Sequence, residues 1–114
     1  MNFTYLSEFE KDLKRLLKRY ISLNEDLSKI KLILEVYPYA RPPFSFILFN
    51  NPNKRSIVKI KKIACLSLRG KGVNTGLRII YMFNYQLNSI EFIELYHKND
   101  QSIEDQNRFI HLMK

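Results

Sequence analysis

A chain of 114 residues with 46% hydrophobic side chains is expected to form a single domain, 1–114, around one buried core. Nineteen Lys and Arg against eleven Asp and Glu give a formal charge of +8, which points to a polyanionic partner. The lone Cys65 excludes an intrachain disulfide, no apolar run approaches the ~20 residues of a membrane span, and Met1–Leu6 has neither a basic n-region nor a long apolar h-region, so a cytoplasmic chain with no membrane partner is expected.

Asn2 to Leu6 reads as a short strand. Ser7-Glu-Phe-Glu10 reads as a capping box, and Phe9, Leu13, Leu16, Leu17 and Tyr20 follow at helical spacing. Asn24 is expected to cap a second helix with Leu27, Ile30, Leu34 and Tyr37 as its stripe, and Pro38 ends it. Pro42-Pro43 and Pro52 bracket the apolar run Phe44–Phe49, which reads as an extra edge strand or an ordered flap. From here the apolar period shifts towards two. Ile57 to Leu66, Leu77 to Asn84 and Ile90 to Tyr96 are expected strands, separated by a glycine loop and by a turn near Leu87-Asn88-Ser89. Ser102-Ile-Glu-Asp105 opens a last predicted helix, with Ile103, Ile110 and Met113 on one side. The order is β-α-α-β-β-β-α: an α+β fold in which a helical hairpin packs on a small, mainly antiparallel sheet and a C-terminal helix follows. The sheet face away from the hairpin has little chain left to cover it and is free to carry Lys and Arg.

The charge is not spread evenly. From Val36 to Ile90 there is no Asp or Glu, yet nine basic residues occur: Arg41, Lys54, Arg55, Lys59, Lys61, Lys62, Arg69, Lys71 and Arg78. A solvated basic face would serve solubility alone. Complete exclusion of acids favours a phosphate backbone, with Lys59, Lys61, Lys62, Arg69 and Lys71 as the expected contacts. The three glycines, Gly70, Gly72 and Gly76, have neither the spacing nor the following helix of a nucleotide-binding loop, and read as a hairpin loop. Arg78 stands apart. It sits in the middle of an apolar strand, where a guanidinium needs a partner or a ligand. Tyr96, His97 and Lys98 end the neighbouring strand and are expected beside it. His111 does not pair with His97 in any evident acid/base arrangement. The acid-free middle offers no carboxylate cage for a hard cation, so no metal and no cofactor are expected.

With these elements in place, Gly76-Leu-Arg-Ile-Ile-Tyr81 resembles the central strand signature of the RelE/ParE superfamily, the toxins of type II toxin–antitoxin modules. The preceding helical hairpin and the next strand, ending in a basic cluster, resemble it too. The resemblance implies a RelE-like, ribosome-dependent and metal-independent messenger RNA endoribonuclease, or a ParE-like inhibitor of DNA gyrase. A non-catalytic nucleic-acid-binding module of the same fold is the third reading. On the ribonuclease reading, Arg78, Lys98, His97 and Tyr96 are the expected catalytic groups. Arg would stabilise a phosphorane, and crowding of cations would favour a neutral lysine as base. The implied partners are the ribosome with its messenger RNA and a cognate acidic antitoxin, with DNA reached only through that antitoxin. Cys65, Ser67 and Arg69 stand where the family carries its paired lysines.

Overall fold

The period-two segments all enter one five-stranded sheet in the computed structural model, which describes residues 1–51 and 54–113. Strands β1 (Asn2–Tyr5), β2 (Ser45–Asn51), β3 (Arg55–Ile60), β4 (Leu77–Asn84) and β5 (Ser89–His97) lie in the order β1-β5-β4-β3-β2. Only the β1–β5 pair is parallel, so the sheet is mainly antiparallel, as expected. The Phe44–Phe49 run resolves to the edge strand β2. Pro52, its expected far bracket, lies outside the described residues.

Helices α1 (Ser7–Leu17) and α2 (Leu23–Val36) form the hairpin and cover one face of the sheet. Phe9 and Leu16 on α1 and Leu23, Leu27, Ile30 and Leu34 on α2 meet Val58, Ile60, Ile79, Tyr81 and Phe92 below them. Each such buried side chain contributes about 1.5–3 kcal/mol relative to exposure. Helix initiation differs from the expected pattern. The Ser7 hydroxyl turns to the Glu8 carboxylate (3.0 Å) and caps no amide, so the capping box does not form. α2 starts before Asn24, and Ser22 at its head donates to Asp26 (2.8 Å) while accepting from the Ser67 amide (2.9 Å). Tertiary contacts with the 65–67 segment have replaced local capping there.

The C-terminal segment is the larger correction. In place of one α-helix, it runs as two 3-10 turns, Gln106–Arg108 and Ile110–Leu112. Two of the three stripe residues that predicted the helix stay in solvent, Ile103 60% and Ile110 54% exposed, while Met113 packs at the edge of the second sheet face. Phe109 is buried instead, against Ile57, Ile80, Ile93 and Tyr96 on the second sheet face. The backbone is held extended at Asp105, whose amide donates to the buried Glu94 (2.8 Å) rather than to a helical carbonyl. The face expected to be bare is therefore half covered. No helix among the described residues is long and apolar enough to cross a membrane.

Candidate nucleic-acid cleft

Alternation along β4 sends Ile79, Tyr81 and Phe83 into the main core and puts Arg78, Ile80 and Met82 on the other face. Arg78 is half-buried at the uncovered end of that face. Its Nη1 donates to the carbonyls of Lys61 and Leu77, both at 3.1 Å, which fixes the guanidinium without an acidic partner. Around it opens a cleft of about 310 Å³ that Lys61, Lys62 and Lys98 also line. Among the described residues, none of its lining side chains is a carboxylate. Four cations thus converge with no internal counter-charge, Lys61 and Lys98 exposed and Lys62 and Arg78 half-buried, and a positive wall of this kind attracts phosphate.

The glycine loop shapes one wall. A β-carbon on Gly76, whose φ is +86°, would stand 2.7 Å from the His97 ring and 3.3 Å from Lys98. Only glycine permits both the backbone turn and the approach of β5, so Gly76 helps to aim Lys98 into the cleft. The Lys62 ammonium donates to Asn74 across the loop (2.7 Å).

The remaining expected site residues are placed elsewhere. His97 is 8% exposed, its Nε2 lies 2.9 Å from the Thr75 carbonyl, its Nδ1 accepts from the Asn99 amide (3.1 Å), and its ring stacks on Tyr20. With both nitrogens engaged it ties β5 to the glycine loop. Tyr96 pairs across the strands with Arg78 but is covered by the C-terminal segment. Burial raises its phenol above the ordinary range, although the neighbouring Lys59 pulls it down. Lys59 is engaged as well: it pairs with the buried Glu104 at 3.3 Å, and its own side chain is 13% exposed. Burial pushes the Lys59 ammonium down, but Tyr96 and Glu104 outweigh that and hold it above its usual value. Arg69 and Lys71 are exposed on the loop beyond Lys62, outside the cleft. Cys65 is buried as expected, and that burial pushes its thiol up.

Sequence reasoning passed over the polar anchors that close the rest of this face. Asp12, 2% exposed on α1, accepts from the Leu95 amide (3.1 Å) and from both terminal nitrogens of Arg108 (2.6 and 3.2 Å). Glu94, 1% exposed, accepts from Gln101 (2.7 Å) and the Asp105 amide. Among the described residues, no three His, Cys, Asp or Glu side chains gather as a metal cluster.

The fold has a solved counterpart. A chain in the crystal structure of the archaeal RelE–RelB complex from Pyrococcus horikoshii OT3 superposes with a TM-score of 0.61 over 85% of this chain and 93% of that one. The fold is RelE-like. Identity across the match is 17%, so the likeness speaks for the fold alone. No family model and no curated protein sequence matches this chain.

Proposed function

We propose that this chain is the toxin of a type II toxin–antitoxin module and a metal-independent endoribonuclease that cuts messenger RNA on the ribosome. The observation that carries the reading is the cleft itself: Arg78 held by two carbonyls among three lysines, with no carboxylate on its walls. In the proposed reaction a ribose 2′-oxygen attacks the adjacent phosphorus and the bond to the 5′-oxygen breaks, leaving a 2′,3′-cyclic phosphate and a 5′-hydroxyl. An amine of the cleft takes the 2′-hydroxyl proton, and an ammonium returns one to the leaving oxygen. Arg78 faces the charge that builds on the phosphorane. Lys61, Lys62 and Lys98 are the amines in reach. Lys59 and His97 are engaged within the fold, and Tyr96 is buried beneath the C-terminal segment.

The test is expression of the chain in growing cells, with cleavage sites mapped on messenger RNA. Wild type should arrest growth and leave new 5′-hydroxyl ends. Arg78→Ala should stay folded and lose at least a hundredfold in cleavage, in line with the loss of one oxyanion donor. A folded Arg78→Ala that remains fully toxic removes the catalytic reading and leaves an inhibitor of gyrase type.

We further propose an acidic antitoxin as partner. The solved structure of like fold is a RelE–RelB complex, and one surface of this chain suits an acidic partner. A groove of about 440 Å³ between α2 and the 62–73 loop exposes Ile33, Leu66 and Val73, with Lys29, Arg41, Lys62 and Arg69 around it. Its one acid, Asp26, is turned to Ser22 and the Leu66 amide. An amphipathic acidic segment would satisfy both the apolar floor and the basic rim. Co-expression with an acidic protein from the adjacent reading frame should restore growth and yield a stable complex; failure on both counts removes this partner.

A further inference from the structure

We propose that Phe46 forms a nucleobase-binding subsite of the cleft, an aromatic wall on which one base of single-stranded RNA stacks while the cations hold its phosphates. This rests on the RNA reading above and adds to it the ligand's second recognised part. Phosphate contacts alone leave Phe46 unexplained. Within the Phe44–Phe49 run, Phe44 packs on the main core, and Leu48 and Phe49 pack beneath the C-terminal segment. Among the described residues Phe46 joins neither core. It is half-buried at the cleft, opposite Lys59 in the β2–β3 register, with the Lys61 ammonium 5.0 Å from its ring centroid.

An apolar ring at the wall of a four-cation cleft matches a ligand that is both anionic and flat. A nucleotide is both. The cleft volume of about 310 Å³ stands at the low end for small-molecule sites, which suits one nucleotide. Lys61 supplies the exchange. Its four-carbon stem is flexible, so a phosphate draws the ammonium off the ring and a base takes its place on the π face. Stacking of this kind tolerates any base, because every base has a π face, and larger purine rings stack over more area.

The experiment compares two labelled probes by fluorescence anisotropy at low salt: hexa-adenylate RNA and an abasic ribose–phosphate hexamer. Each is titrated with wild type, Phe46→Ala, Phe46→Leu and Phe46→Trp. Phe46→Leu keeps apolar bulk without a ring, and so separates stacking from folding. Wild type should bind hexa-adenylate about tenfold more tightly than the abasic chain. Phe46→Ala and Phe46→Leu should lose that preference with abasic affinity unchanged, and Phe46→Trp should keep it. Equal affinity of wild type for both probes, or a preference that survives Phe46→Leu, overturns the subsite while salt-dependent binding still upholds the polyanion reading. Binding of neither probe overturns both.

Discussion

Lys59 and Lys61 stand two residues apart beside the same sheet face, and the fold uses them in opposite ways. Lys59 lies under the C-terminal segment, paired with buried Glu104 and placed over the Tyr96 ring. Lys61 lies where that segment does not reach, among Lys62, Arg78 and Lys98. The difference follows from how charge is dealt along the chain. The middle carries only bases, and the last twenty-four residues carry five acids against three bases. Where the acidic tail folds back, it neutralises the basic strands and closes a second small core. Beyond its reach the cations line an open cleft without an acidic partner. One half of the face is a clasp, and the other half carries the proposed polyanion site.

The largest effect should come from opening the clasp. Asp12→Ala would leave Arg108, whose side chain is 17% exposed, without its shortest acidic partner, and would strip the Leu95 amide of its acceptor. Breaking a buried charge pair from one side costs about 3–5 kcal/mol. Urea unfolding should show a loss of that size. An Asp12→Ala protein as stable as wild type would mean that the tail is not clamped by this pair.

Sequence pattern reached the position of Arg78 more readily than the clasp. Arg78 was legible because an arginine inside an apolar strand demands a partner, and the β4–β5 pairing follows from two period-two runs. The same logic applied to Glu94, an acid among Ile90, Phe92, Ile93 and Leu95, would have marked it as buried and bonded. Asp12 gave no such signal. It sits on a helix crowded with charges, and its partner Arg108 lies 96 residues away. The C-terminal helix was mispredicted because Ser102–Asp105 satisfies a local rule, while the decisive bonds, from the Asp105 amide and Gln101 to Glu94, are tertiary. Lys59 could not be told from Lys61 by sequence, since only the path of the tail separates them.

An intermediate effect separates the two lysines directly. Lys61→Ala should flatten the salt dependence of RNA binding by about one unit of slope, the signature of one lost phosphate contact. Lys59→Ala should leave the slope unchanged and lower stability by about 1–3 kcal/mol, because it strands buried Glu104 without its donor. Salt titrations and unfolding curves on the same two proteins decide it. Equal slopes for both variants would erase the distinction between clasp and site.

The smallest effect concerns the pH response of the clasp. Burial lifts the Glu94 carboxyl above its ordinary value of 4.5, and the bonds from Gln101 and the Asp105 amide only partly oppose that. A carboxyl whose native pKa lies above its unfolded one binds its proton more tightly in the folded state. Glu94 therefore contributes stability below pH 4.5, and that contribution is lost as pH rises through its native pKa. Asp12, Asp26 and Glu104 are buried as well, so the Glu94 share of the slope is read as the difference between wild type and Glu94→Gln. Glu94→Gln cannot ionise and should flatten the unfolding free energy between pH 4.5 and neutrality. It also exchanges one acceptor for a donor, so its absolute stability should fall slightly while the Glu94 share of the pH slope disappears. Melting curves taken every half unit of pH for both proteins resolve the two effects. If the slope persists unchanged in Glu94→Gln, the pH response belongs to another group, and Glu94 holds the tail by its hydrogen bonds without a proton-linked share.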